Sequence, residues 1–289
     1  MTADITFEAI NQAKSSIDEI YFQPDPRAYL QELKKLDYAI PGNAKPVFQK
    51  LIDRLQSERD HEVQVLDLGC SYGLNAALLK HDMTMEELYE HWGQKALMRA
   101  SSHEVIEYDR RFFGNLEDRK NINIVGLDRA EPAVSFGTET GLLDEGIAAD
   151  LESSPLSAPA GQDLAPVDLV ISAGRLGAIT EKSFERLLPA VTRGRPPWIA
   201  NFAARTFPFE PIAKALNEWG YVTERLEGPL FEQRAFASPE ERDQVIEALR
   251  RRGLDPDGRE SEGQLLAEFY LSRPADETAA RPIEQLLAA

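Results

Sequence analysis

Val65–Leu79 reads VLDLGCSYGLNAALL. A short apolar run carries Asp67 near its end, passes through a turn with glycine at both ends, and enters a stretch of good helix formers. Val63–Gly69 (VQVLDLG) has the unbroken hydrophobicity of a parallel strand buried on both faces. Leu74–Lys80 starts a helix directly after it. Gly69-Cys70-Ser71-Tyr72-Gly73 makes the turn. Glycine at 69 and 73 lets the backbone turn and approach a ligand without a Cβ clash. The free amides of the new helix favour an anionic or polar group. The dinucleotide fingerprint G-x-G-x-x-G is absent, since Cys70, Ser71 and Tyr72 follow Gly69, which counts against NAD or FAD.

Outward from this turn the chain alternates strand and helix. Asn121–Asp128 (NINIVGLD) predicts a second strand with a helix over Ala130–Thr140 behind it. Gly146–Leu151 (GIAADL) predicts a third strand. Val167–Ser172 (VDLVIS) is a fourth, followed by a helix at Glu181–Val191. Pro197–Ala203 (PWIANFA) is a fifth, followed by a helix at Pro211–Gly220. Repeated βα units imply a parallel sheet with helices on both faces. Tyr221–Leu226 and Ala267–Leu271 read as closing strands that pair antiparallel at one edge, with a helix at Pro239–Arg252 between them. The expected architecture is α/β: a seven-stranded, mostly parallel Rossmann-like sheet with an antiparallel last strand.

Two segments fall outside the alternation. Residues 1–60 carry helical patterns broken by Pro24, Pro26, Pro41 and Pro46 and are expected to form a helical N-terminal cap. Residues 81–120 contain MEELYEHW and HEVIEYDRRFF, both with helical periodicity, and form a helical insertion after the first βα unit. The main domain spans 61–274. Leu151–Pro166, rich in Ser, Pro and Ala, reads as a surface loop or a poorly formed helix, and residues 275–289 read as a loose tail with one short helix.

The 289 residues are 43% hydrophobic and 28% charged, an ordinary globular composition. The formal net charge of −17 repels phosphate backbones and anionic lipids, which argues against nucleic acid and membrane partners. The basic run Arg250–Arg252 reads as a solvated helix end. The single cysteine, Cys70, excludes an intrachain disulfide and a cysteine-based zinc site. His61, His81, His91 and His103 have no metal-ligand spacing, so no metal is expected. The first residues lack a basic region followed by an apolar stretch, and no run approaches the ~18 apolar residues of a membrane span. A cytoplasmic protein is expected.

D-x-G-x-x-x-G after a buried strand resembles motif I of the class I S-adenosylmethionine-dependent methyltransferases, and the likeness extends from about Val63 to Pro274. The resemblance implies S-adenosylmethionine as cofactor and S-adenosylhomocysteine as product. It implies that Asp67, Gly69, Cys70, Ser71, Gly73 and Asn75 surround the cofactor's turn. By the same resemblance Asp128, with Arg129 beside it, holds the ribose hydroxyls. Asp150 contacts the adenine amino group and Leu151 lies along the ring. DLVISAG resembles motif IV, which puts Ser172 and Ala173 near the methyl donor. The helical insertion pushes Asp128 far beyond the usual ~20 residues after the glycine turn, so its place rests on the strand pattern. Ser172-Ala173-Gly174-Arg175 lacks the Asn/Asp-Pro-Pro-aromatic signature of enzymes that methylate nucleic-acid amines.

Acceptor-side residues are less constrained. Arg175, just beyond the fourth strand, could hold an acidic group on a substrate, or be a plain surface arginine. His103, Tyr108, Glu107 and Arg110 lie on the insertion and are candidate catalytic groups if it roofs the pocket, or exposed helix residues if it does not. Tyr21 and Phe22, in the aromatic and proline-rich stretch Tyr21–Tyr29, could line a substrate wall or pack a cap. Phe202 and Arg205, near the end of the fifth strand, lie on the ligand side, or serve as packing and a solvated charge. Cys70 reads as a small buried filler. The expected activity is methyl transfer to an O, N or C atom of a small-molecule acceptor. The alternatives are a protein side-chain acceptor, a non-catalytic S-adenosylmethionine-binding protein and, more distantly, an NAD-linked oxidoreductase. By resemblance the cap could also mediate a homodimer.

Overall fold

The computed structural model describes residues 20–118 and 122–288. The first part of the expected cap, the non-secretory start, the end of the insertion, Asn121 of the second strand and Ala289 lie outside them.

The first apolar run forms β1 (Val63–Leu68) and enters α3 (Leu74–Lys80) through the glycine turn. β2 (Ile122–Asp128) leads to α6 (Glu131–Glu139). β3 (Glu145–Ala148) is followed by a short α7 (Ala158–Asp163). β4 (Leu169–Ala173) leads to α8 (Glu181–Val191), and β5 (Trp198–Ala204) to α9 (Glu210–Asn217). β6 (Tyr221–Arg225) and the eleven-residue β8 (Gln264–Pro274) close the sheet, with order β3-β2-β1-β4-β5-β8-β6. The pairs among β1 to β5 are parallel, and β8 runs antiparallel to β5 and β6. This is the expected Rossmann-like sheet. One more strand lies off that path. β7 (Phe231–Ala235) pairs with the first part of β8. FEQRA has no apolar run or clean alternation to announce it.

Helices cover both faces. Leu66, Leu68, Val170 and Ile199 pack with Phe184, Leu187 and Leu188 of α8 and Ile212 and Leu216 of α9. On the other face Val65, Ile171 and Phe202 pack with Phe48, Leu51 and Leu55. These last three belong to α2 (Ile40–Glu58), preceded by α1 (Arg27–Lys35). Pro41 and Pro46 do not break α2. Pro41 sits in its first turn, where no N–H is required. Pro46 lies inside the helix and forfeits one backbone bond. The buried face of Ala44, Phe48, Leu51, Ile52 and Leu55 outweighs that loss.

The insertion holds α4 (Met85–Trp92) and α5 (Ser102–Gly114), each started by a capping box, Thr84 with Glu87 and Ser101 with Glu104. The fully buried Asp109 of α5 accepts hydrogen bonds from Nε2 of His91 at 2.7 Å and Nε1 of Trp92 at 2.8 Å, which locks the two helices together. The last segment is docked rather than loose. It forms α11 (Ala275–Ala280) and α12 (Ile283–Leu287), after α10 (Pro239–Arg251). Ile283 and Leu286 enter the core, and Glu224 of β6 accepts from the Ile283 amide at 3.0 Å. Among the described residues no helix is long and apolar enough to cross a membrane.

Phe48 is the ring on which α2 meets the sheet, fully buried and edge-on to Phe202 at 5.4 Å. Phe48→Ala is expected to cost about 3–5 kcal/mol, read as a lowered urea midpoint at unchanged slope. A loss below 1 kcal/mol would show that α2 is not an integral layer of the core.

Candidate functional site

The strand order reverses between β1 and its neighbours β2 and β4, and ligands in open α/β sheets bind beyond the strand ends at such a point. The register pairs Asp67 with Gly126 and with Ile171, so the ends of β1, β2 and β4 lie side by side. Gly69 and Gly73 bound the turn there with φ of +81° and +83°. Ser71, between them, also has a positive φ of 53°, a conformation that costs a non-glycine residue roughly 1–2 kcal/mol. The turn is fixed to β2, because the amides of Gly69 and Cys70 donate to the Leu127 carbonyl at 2.8 and 3.3 Å. The Cys70 side chain packs beneath Gly126, and burial pushes its thiol above the usual range, as suits a filler rather than a nucleophile.

Asp128 is the centre of the site. It is buried at the tip of β2, where its Oδ1 accepts from the Ala130 amide at 3.0 Å. Its Oδ2 accepts from the Ser71 amide at 3.1 Å and from the Tyr21 hydroxyl at 2.5 Å. The strained Ser71 backbone thus aims an N–H at the carboxylate. The segment bearing Tyr21 is held in place by Tyr72, whose hydroxyl donates toward the carbonyls of Tyr21 and Gln23 at 3.1 and 2.8 Å. Asp25 anchors the same segment to the insertion by accepting from Arg27 and from the Ser102 hydroxyl at 2.6 Å.

Asp67 is completely buried under the turn. Its Oδ1 accepts from Nδ2 of Asn75 at 2.9 Å, while its Oδ2 is buried without a hydrogen-bond partner. Burial pushes its carboxyl up to about 7, against the Asn75 bond, which lowers it, and with the help of the Asp128 charge.

A cleft opens beside the turn. Leu68, Gly69, Asp128, Arg129, Asp150, Leu151, Arg175 and Ile179 are among its lining residues. Asp150 accepts from the Glu152 amide at 3.0 Å and the Ser153 hydroxyl at 2.6 Å, and the latter bond leads in holding its carboxyl below the usual range. Glu152 in turn accepts from Thr180 and Ser183, which joins the loop after β3 to the start of α8 as one wall. Arg129 lies over the exposed Phe22 ring at 5.5 Å. Arg175 crosses the cleft. Its stem rests against Gly69, where a Cβ would meet it at 2.8 Å, and its guanidinium lies 4.4 Å from the centre of the Tyr21 ring.

Other candidates are placed elsewhere. Ser172 and Ala173 are buried at the end of β4 and do not line this cleft. Phe202 is packed among Phe48, Phe231 and Phe269 in the core, because β7 and α2 cover the end of β5, so it forms no substrate wall. Arg205 is not a solvated charge. It forms a buried ion pair with Glu260 at 2.5 Å. His103 and Tyr108 are exposed on α5 and line no part of the cleft, and Tyr108 stacks on Phe112. Glu107 and Arg110 pair with each other at the surface. None of these four faces the carboxylates, because α5 turns its Asp109 side inward. Sequence reasoning passed over Tyr38, Tyr72, Glu152 and Ile179. They reach the site from a loop, a turn and a strand-helix connection, where no periodicity marks them.

No family model matches the sequence and no curated protein matches it. Among solved structures, the magnesium protoporphyrin IX methyltransferase of Synechocystis with bound S-adenosylmethionine is 10% identical, over 95% of this chain and 100% of that one, with a TM-score of 0.41. The plantazolicin methyltransferase BpumL, in complex with a desmethyl analogue and S-adenosylhomocysteine, is 13% identical over 93% and 96%, with a TM-score of 0.42. A TehB-like S-adenosylmethionine-dependent methyltransferase of Corynebacterium glutamicum is 12% identical over 77% and 85%, with a TM-score of 0.37. At such identities and scores these likenesses decide nothing about chemistry, which rests on the residues at the strand ends.

The raised carboxyl of Asp67 has a consequence for stability. Its folded value lies above its unfolded one, so between about pH 4 and pH 7 the folded state keeps a proton that the unfolded state has lost. Its contribution therefore falls as pH rises through that window, by up to about 1.4 kcal/mol per unit. Asp67→Asn is expected to flatten this decline, and to be more stable than the parent at pH 8 while close to it at pH 4.5, by urea unfolding at the two values. Equal differences at both pH values would refute the assignment.

Proposed function

We propose that this chain is an S-adenosylmethionine-dependent methyltransferase acting on a small-molecule acceptor. Asp128 carries the proposal. It is a buried carboxylate at the tip of the second strand, facing a turn with left-handed glycines at both ends, where the sheet order reverses. The chain's residues suit the cofactor at each end. Asp128 accepts from a ribose diol once the Tyr21 hydroxyl gives way on Oδ2. Asp67 offers its unpartnered buried Oδ2 to an ammonium group, directly or through a water. Asp150 and Leu151 line the adenine end, and Asp150 keeps lone pairs beyond the two its own turn uses.

When bound, the cofactor supplies an electrophilic methyl group on a sulfonium. The protein's task is then chiefly to orient the acceptor's nucleophile and to exclude water, and such positioning can supply much of the rate. The Tyr21 segment, pinned by Tyr72 and Asp25, packs against Asp128 and Arg175 at the cleft. We take a small acceptor, held in a cleft at the strand ends, as the preferred substrate over an extended side chain. The net charge of −17 disfavours a polyanion. Residence in the cytoplasm and a homodimer complete the proposal as expectations.

Isothermal titration with S-adenosylhomocysteine tests it. Micromolar binding is expected for the parent, weakened at least tenfold, about 1.4 kcal/mol, by Asp128→Ala. Tyr21→Phe is expected to move affinity the other way, because it removes the hydroxyl that a ribose must displace. No binding by well-folded parent protein would end the proposal.

A further inference from the structure

The Arg175 guanidinium has no anion among the described residues. No described carboxylate lies within ion-pair distance of it, and its Nε is buried with no hydrogen-bond partner. Its guanidinium lies over the face of Tyr21. A cation over an aromatic ring gains about 0.5–2 kcal/mol, much less than the several kcal/mol that withdrawing an unpaired ion from water costs. The Asp128 carboxylate favours this charge from nearby but forms no ion pair with it. Asp128 spends its oxygens on Tyr21, Ser71 and Ala130, and Asp67 faces Asn75 under the turn.

The other arginines with buried side chains among the described residues are ion-paired, Arg59 with Asp168 among them. Arg205 has Glu260 and Arg273 has Glu224. Arg175 differs from them and stands at the one place where a ligand is expected. Its position is built. The stem is seated on Gly69, which has no Cβ to obstruct it, and the next turn is tight, since a Cβ on Gly174 would lie 2.3 Å from the Tyr38 hydroxyl. Tyr21 meets Tyr29 and Tyr72 edge-on, at 5.1 and 6.3 Å, so the guanidinium looks into an aromatic wall.

We propose that Arg175 is a carboxylate-recognition residue, which pairs its planar fork with the carboxylate of a small molecule bound against the tyrosine wall. A guanidinium matches a carboxylate with two parallel N–H···O bonds, which neither a lysine nor an aromatic ring can offer. The carboxylate has two possible sources: the acceptor, or the amino-acid end of the cofactor. The inference rests on the proposed function only for the second source.

The test uses Arg175→Met, which keeps an unbranched apolar stem on Gly69 and removes the charge. Parent and variant are titrated with S-adenosylhomocysteine and with 5′-methylthioadenosine, which lacks the amino-acid end. In parallel, benzoate and phenylacetate are compared with benzamide and phenylacetamide by saturation-transfer NMR. Loss of tenfold or more for S-adenosylhomocysteine, with methylthioadenosine unchanged, would support carboxylate recognition and identify the cofactor as the source. Unchanged binding of both nucleosides, with the parent preferring acids over amides at least tenfold and the variant losing that preference, would support it with the acceptor as the source. Equal weakening of both nucleosides would mark Arg175 as a structural wall of the cleft and overturn the inference. So would the absence of any acid preference together with unchanged nucleoside binding. If the parent binds neither nucleoside, the proposed function fails, and the acid-amide comparison alone decides the role of Arg175.

Discussion

Donors from three separate segments converge on one buried carboxylate. The Tyr21 hydroxyl, the Ser71 amide and the Ala130 amide all donate to Asp128. Through these bonds the tip of β2 fixes the N-terminal aromatic segment, the glycine turn and the start of α6. A buried carboxylate tolerates its loss of water only when such donors are supplied, so each segment is required where it stands. The left-handed Ser71 follows from this requirement, because its strain is the cost of directing an amide to the acid.

Around that satisfied group stand two unsatisfied ones. Asp67 keeps a bare oxygen beneath the turn, and Arg175 keeps a guanidinium with only an aromatic face for company. Elsewhere the chain pairs its buried charges carefully. Asp109 serves His91 and Trp92, Glu152 serves Thr180 and Ser183, and Glu260 serves Arg205. Ser71 Oγ and Asn75 Oδ1, at the turn and the start of α3, are also buried without a partner, so several unpartnered polar atoms gather at the reversal of the sheet, as a ligand-binding site requires. The ligand then supplies the missing partners, and affinity gains from interactions the folded chain has withheld from itself.

The rigidity of the surroundings gives those groups fixed positions. β1, β4 and β5 are buried on both faces, and α2 closes one face with a continuous row of apolar side chains. The insertion is held by capping boxes and by the Asp109 network, and through Ser102 and Asp25 it braces the segment that carries Tyr21. Hydrogen bonds at Asp25 and at Tyr72 thus hold the Tyr21 segment between the insertion and the glycine turn, and no insertion side chain lines the cleft.

The sequence by itself determined the alternation of strands and helices, the glycine turn and the acids at the strand ends. These are local matters of hydrophobic period and backbone freedom, and Asp67, Asp128 and Asp150 were legible because each ends an apolar run. It did not announce β7, whose five residues become a strand only because β8 offers a free length of edge. It did not separate the fates of Phe202, Arg205 and Arg175, three residues at or just beyond strand ends. Packing decides those fates: α2 and β7 bury Phe202, Glu260 captures Arg205 from more than fifty positions away, and no described carboxylate reaches Arg175. Tyr21 meets Asp128 across 107 positions of sequence. Side chains so distant along the chain carry no common period, so only the tertiary structure could decide which charges are paired and which are left for a ligand.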